Sequence, residues 1–256
     1  MTLVLSELSS FGIAMAADSA VTHTKPRTGI AHVTPNSARK LQVIPYLTAG
    51  ISCWGLGTIG TLPTDQWLNN FINSNSSINT LTNFATELAN QLNRQVPRNT
   101  SGANRLGFHL AAFENYRGTP TPSFYHVHDG PSTTLQSRGI SVNPNQFNAN
   151  HDVPPRIFQQ MANAGQTPIT IRNGTYQLYA QIYSRLDGFF RTSLRPLGIT
   201  IPHSQHVSDR ADYMVFYIRL MSEIYRLSNL IPGIGGGIHY LAINRTGIHS
   251  QGIKYF

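Results

Sequence analysis

The order in which the hydrophobic period changes along the chain constrains its fold more than any single motif does. Residues 2–57 read as four strands in two hairpins, at 2–8, 12–19, 38–44 and 47–54. Thr64 or Asp65 then opens a helix in which Trp67, Leu68, Phe71 and Ile72 recur at helical spacing. A second helix over about 79–95 aligns Leu81, Phe84, Leu88 and Leu92 on one face. Strands return at 107–113, 123–128 and 133–140. A third helix follows Asn173-Gly174, with Leu178, Ile182, Leu186 and Phe189 as its apolar side. The longest helix covers 208–228, capped by Ser208 and packing Ala211, Val215, Ile218 and Tyr225 inward. Two closing strands, 237–243 and 248–255, turn at Asn244-Arg245-Thr246-Gly247. Strands, two helices, strands, two helices, strands: this is the order of an α+β chain whose two sheets lie between helix pairs, a four-layer αββα sandwich.

At 256 residues the chain is long enough for one sizeable core, and residues 1–256 are expected to form a single domain. The Asn- and Pro-rich stretch 141–168 reads as an inserted loop with one short helix near 155–164. A hydrophobic share of 40% and a mean hydropathy of −0.19 fit a soluble protein. No apolar run approaches the ~20 residues of a membrane span. No basic-then-apolar leader opens the sequence, and Cys53 is the sole cysteine, so a reducing cytoplasm is the expected compartment. The net charge of +8 comes from scattered residues, with only 12% of the chain charged. Without a dense basic run, the charge argues against a nucleic-acid partner.

Chemistry concentrates at the start of the chain. A small residue after Met1 favours removal of that methionine, which would leave Thr2 with a free α-amine beside its own hydroxyl. Such a threonine carries nucleophile and proton acceptor on one residue. Its amine, with a pKa of roughly 7.7–8.0, is partly unprotonated near neutral pH. Elsewhere the signals are weaker. His126 and His128 share one face of a strand but lack further ligands at the usual spacing, so no metal is expected. Gly233-Ile234-Gly235-Gly236-Gly237 has no following Lys-Ser/Thr and reads as a turn, not a phosphate loop. Cys53 lies in an apolar strand without a partnered base, which suits a pocket wall better than a nucleophile.

The stretch from Thr2-Leu3-Val4-Leu5 through Gly12-Ile13-Ala14-Met15-Ala16-Ala17-Asp18-Ser19 to Thr22 resembles the start of proteasome β-type subunits, which are N-terminal-nucleophile hydrolases. Ala38-Arg39-Lys40-Leu41-Gln42-Val43-Ile44 is similar to that family's lysine strand. Leu47-Thr48-Ala49-Gly50-Ile51-Ser52-Cys53-Trp54-Gly55-Leu56-Gly57 is similar to the strand that ends in its oxyanion glycine. Ser228-Asn229-Leu230 and the Gly-rich turn before Ile238-His239-Tyr240-Leu241-Ala242-Ile243 resemble the bacterial ancestral-β-subunit group, Anbu. The likeness is specific over about residues 2–57, loose over 207–256 and topological between.

The resemblance implies a threonine peptidase or amide hydrolase that needs no cofactor. Thr2 would attack, Lys40 would lower the pKa of its hydroxyl, and Asp18 would hold Lys40, the two charges standing on adjacent strands. The Gly55 N–H would meet the oxyanion, with Gly50 as the alternative. Two departures stand out. The segment between Asp18 and Lys40 is longer than in the family and contains Lys25-Pro26-Arg27-Thr28-Gly29. The family's Asp-x-x-Ser-Gly motif is replaced by Leu230-Ile231-Pro232-Gly233-Ile234-Gly235-Gly236-Gly237. Ser19, Thr175, Ser228 and Asn229 are the candidates for the supporting polar contacts.

By position, the substrate cleft would be lined by Val21, Ala38, Cys53 and Gly57, with the Thr22 backbone pairing to an extended peptide. All four are apolar or small, so an apolar residue before the cut is expected. The implied partners are further copies of the chain, in a ring or an open helical stack, and a peptide or unfolded-protein substrate; the sequence says nothing of an ATPase partner. Trp67, Phe71, Met214, Phe216, Tyr217, Leu220 and Met221 are the apolar residues expected to serve that assembly. The competing expectations are a catalytically silent scaffold subunit of the same fold and an amidase acting on a small molecule.

Overall fold

A computed structural model describes residues 2–24, 31–34, 36–96, 106–130, 146–174, 177–199, 206–228 and 233–255. The chain begins with a hairpin of β1 (Leu3–Ser9) and β2 (Gly12–Asp18), then a ribbon of β3 (Val21–Thr24) and β4 (Ala31–Thr34). A second hairpin, β5 (Leu41–Ile44) and β6 (Ala49–Gly55), is followed by the short β7 (Thr58–Ile59) and β8 (Leu62–Pro63). Helices α1 (Thr64–Ser74) and α2 (Leu81–Gln95) precede β9 (Leu106–Tyr116), β10 (Thr119–His128) and β11 (Asn148–Val153). Helix α3 (Pro155–Asn163), β12 (Ile169–Gly174), α4 (Gln177–Phe189) and α5 (Val207–Leu227) lead to the closing pair β13 (Ile238–Asn244) and β14 (Gly247–Lys254).

The strands form two five-stranded sheets, in the orders β12-β1-β2-β13-β14 and β11-β10-β9-β6-β5. Every pairing in them is antiparallel. The alternation of side chains along β1 and β2 explains why both strands are buried throughout. Leu3, Leu5, Ala14 and Ala16 turn to one side and pack with Tyr179, Met214, Tyr217, Ile218 and Met221 of α4 and α5. Val4, Leu8, Ile13 and Met15 turn to the other, against Leu41, Ala111 and Phe124 of the second sheet. On the far side of that second sheet, Ile51, Phe108, Leu110 and Val127 meet Trp67, Leu68, Phe71, Phe84 and Leu88 of α1 and α2. Full burial of each such side chain stabilises by about 1.5–3 kcal/mol.

Within the two five-stranded sheets, two strands depart from the sequence reading, and the short β3, β4, β7 and β8 were not expected either. Within 141–168 the expected short helix is α3, yet the stretch also supplies β11, an edge strand on β10. Likewise β12 extends the first sheet beside β1, where no strand was expected. The strand expected at 133–140 lies outside the described residues. Trp67 and Phe71, read as assembly residues, are 6% and 4% exposed and fill the core beneath α1, their rings stacked at 5.5 Å. Met214, Tyr217 and Met221 are also interior, whereas Phe216 stands 43% exposed.

Candidate active site

The first hairpin sets the site. Ser9 closes its turn, its hydroxyl accepting from the N–H groups of Phe11 and Gly12. That turn fixes the register Val4↔Ala17, which brings Asp18 alongside Leu3 and hence beside Thr2. The fully buried Asp18 accepts from Leu3 N–H at 2.9 Å through Oδ1, and from Ala20 N–H at 3.2 Å through Oδ2. Thr2 itself is only 7% exposed. The spacing between the two residues is therefore the length of one hairpin.

Lys40 arrives from the other sheet. It precedes β5, and its carbonyl accepts from Cys53 N–H at 2.8 Å, continuing the pairing with β6. Its Nζ donates to Asp18 Oδ2 at 3.1 Å and to the Ala20 carbonyl. Asp18 and Lys40 were expected on adjacent strands; instead β2 and β5 belong to different sheets, and the ion pair spans the gap between them. Burial pushes the Asp18 carboxyl above the usual carboxylate range, opposed by the Lys40 charge and the N–H donors of Leu3 and Gly235. Four donors around one carboxylate are what a buried charge requires.

The Gly-rich turn supplies backbone where the sequence suggested missing side chains. Gly235 N–H donates to Asp18 at 3.4 Å, and its carbonyl accepts from Ser19 N–H at 3.2 Å and Ala20 N–H at 3.0 Å. Asn36 clamps this turn: its Oδ1 accepts from Gly237 N–H and from the Ser19 hydroxyl. Gly236 adopts φ +73°, and a Cβ there would lie 2.6 Å from both the Asn36 nitrogen and the Ser19 hydroxyl oxygen. Glycine is thus required by conformation and by space. Gly174 plays a parallel part at the end of β12. Its φ is +89°, and a Cβ would come within 1.9 Å of the Thr2 carbonyl oxygen. Asn36, Gly174 and Gly235 were not singled out for the site; the Gly-rich run was visible but read only as a turn.

Thr2 and Lys40 open onto a cavity of about 210 Å³. Val21, Thr22, Ala38, Cys53, Gly55 and Gly57 all line it. Gly55 ends β6 with φ +101°. Gly50 instead lies near the start of β6, where a Cβ would meet Met15 Sδ at 2.4 Å and Leu241 at 2.6 Å, so it serves close packing of the sheets. Burial pushes the Cys53 thiol up to about 12, which disfavours a thiolate nucleophile. Ser228 lies at the end of α5, its hydroxyl donating to the Tyr225 carbonyl at 2.9 Å, and is not among the residues lining the cavity. Thr175 and Asn229 fall outside the described residues. The His126 and His128 rings lie 4.2 Å apart, and Gly130 N–H donates to His128 Nδ1. Among the described residues no group of three or more His, Cys, Asp or Glu side chains is arranged to hold a metal.

No protein-family model and no curated protein sequence matches the chain. Among solved structures, a Gly-1 mutant of Anbu from Hyphomicrobium sp. strain MC1 superposes with a TM-score of 0.52 at 12% identity. The match covers 100% of this chain and 87% of that one. The fold is Anbu-like. At this identity the likeness speaks for the fold alone. It agrees with the local sequence resemblance to the Anbu group, which was carried by Ser228-Asn229-Leu230 and the Gly-rich turn before Ile238.

Proposed function

We propose that this chain is a threonine-type N-terminal-nucleophile hydrolase of peptide or amide bonds, built as a single four-layer αββα domain. The observation that carries the reading is the buried Asp18–Lys40 pair, whose lysine lines the same cavity as Thr2. Once Met1 is removed, the Thr2 hydroxyl attacks the substrate carbonyl carbon and its α-amine takes up the proton. Lys40 lowers the hydroxyl's pKa by its charge, and Asp18 fixes Lys40. The oxyanion rests on the Gly55 N–H. Collapse of the tetrahedral intermediate breaks the C–N bond, with the proton passing from the amine to the leaving nitrogen. Water then hydrolyses the Thr2 ester, and the same amine serves as base.

Ser19 supports this centre through Gly235 and Asn36. The substrate is an extended peptide or unfolded chain, paired along Thr22. Copies of the chain associate, and the exposed Phe216, Phe189 and Leu227 at the α4–α5 face are the residues available to that contact. Its site of action is the cytoplasm. Among the described residues no helix is long and apolar enough to cross a membrane. Hydrolysis of a fluorogenic peptide or of unfolded casein tests the reading. Activity abolished in both Thr2→Ala and Lys40→Ala supports it; activity retained in Thr2→Ala refutes it.

A further inference from the structure

The cavity carries a carboxylate that the proposed chemistry does not use. Asp65, in the first turn of α1, lines the same wall as Ala38, Cys53 and Lys40. It is held from two sides. Its Oδ2 accepts from Arg39 N–H at 2.9 Å, and its carbonyl accepts from the Gln42 side chain at 2.7 Å. An acid at the start of a helix is ordinarily explained by the helix dipole and by capping. Here Oδ2 is already engaged, and no described residue is hydrogen-bonded to Oδ1. Among the described residues no cation forms an ion pair with Asp65; Lys40, which lines the same cavity, is paired with Asp18. Cys53, in the same wall, feels the Asp65 charge, which helps raise its thiol pKa.

An apolar-sided cleft of this kind with one unbalanced carboxylate matches the shape and charge of a long basic side chain. The methylene stem would lie against Val21, Ala38 and Cys53, and the cationic head would reach the carboxylate. An apolar side chain of equal length would leave Asp65 Oδ1 desolvated without a partner. We propose that Asp65 is a specificity-determining residue that selects lysine or arginine immediately before the scissile bond. This replaces the apolar preference expected from Val21, Ala38, Cys53 and Gly57 alone, since Asp65 of α1 lines the same cleft. It rests on the reading of Thr2 as nucleophile.

The test compares two aminomethylcoumarin peptides that differ only in lysine or norleucine before the cut. The unmodified chain should hydrolyse the lysine peptide faster, in kcat/KM, by about 10- to 100-fold, the scale of one charge-assisted hydrogen bond. Asp65→Asn keeps an acceptor for Arg39 N–H while losing the charge, and should bring the ratio close to one. Asp65→Ser, a second neutral residue suited to a helix start, should do the same, with unchanged melting temperature certifying the fold of each variant. Binding of the two uncleaved peptides to Thr2→Ala protein, followed by calorimetry, separates the subsite from the chemistry. Preferential binding of the lysine peptide without any hydrolysis by the unmodified chain would uphold the subsite and overturn the threonine mechanism. Hydrolysis with norleucine preferred, or a lysine preference unmoved in both Asp65 variants, would overturn the subsite.

Discussion

Two buried ion pairs anchor the first hairpin, and they differ in what surrounds them. Glu7–Arg210 joins β1 to α5, with both guanidinium contacts going to one carboxylate. Tyr213 lies beside the guanidinium, its ring centroid 5.3 Å away, and Thr170 adds a hydroxyl contact at 3.4 Å. Asp18–Lys40 is a single contact at 3.1 Å, completed by backbone N–H groups and by the Ala20 carbonyl, and Lys40 faces the cavity. Burial and opposite charge are common to both. Only the second pair lies beside Thr2 and open space, the two features that the proposed reactive centre needs beyond an ion pair.

The largest contrast should appear in activity. Lys40→Ala is expected to lower kcat by at least about 10²–10³-fold, the cost of removing charge stabilisation at a reacting group. Glu7→Gln should leave kcat within a few-fold when assayed well below its melting temperature. Equal losses in the two variants would erase the distinction between the pairs.

Stability should show the reverse emphasis on Glu7–Arg210. Glu7→Gln or Arg210→Met alone should cost about 3–5 kcal/mol, because the surviving partner is stranded in the core. Glu7→Leu combined with Arg210→Met should recover most of that loss, since apolar replacement of a buried pair is often neutral. Denaturant unfolding of the single and double variants measures this directly. The Asp18→Leu, Lys40→Met double variant should not recover as fully, because the N–H groups of Leu3, Ala20 and Gly235 would lose their acceptor.

A smaller, graded effect concerns pH. His109 links the sheets between Ser6 and Asn173, at 3.0 and 2.7 Å, and burial holds its pKa down to about 4. The folded state keeps the ring neutral while the unfolded state binds a proton below about 6.5. Its contribution is therefore complete above pH 6.5, falls as pH drops, and is lost below about 4, a change of about 3 kcal/mol. His239, also lowered to about 4 by burial with Arg39 and Lys40 nearby, adds a change of the same sign. Unfolding free energy measured from pH 7 to 4 should fall steadily, and His109→Asn should flatten part of that slope. A slope unaffected by His109→Asn would contradict the assignment.

The contrast also shows what the sequence could disclose. Thr2 and Asp18 were legible because one tight hairpin fixes their distance, so spacing along the chain stands for spacing in the fold. Lys40 was legible from its strand, but its approach from the opposite sheet was not, since sheet membership depends on long-range pairing. Glu7–Arg210 was not foreseen for the same reason. Asn36 acts through its side-chain Oδ1, and Gly174 and Gly235 through their backbone, on segments remote in sequence, which leaves no local pattern. The strand β11 escaped notice because Asn148-Ala149-Asn150-His151-Asp152-Val153 is a polar, half-buried edge with weak strand propensity. Trp67 and Phe71 showed the right helical face but could not reveal which surface that face meets.

The most direct test of the central claim is mass spectrometry of the purified chain before and after exposure to an epoxyketone peptide. The account predicts a protein lacking Met1 that gains one probe mass, with the adduct mapped to Thr2 and absent from Thr2→Ala. Retention of Met1, or an adduct at Cys53 that persists in the alanine variant, would contradict it.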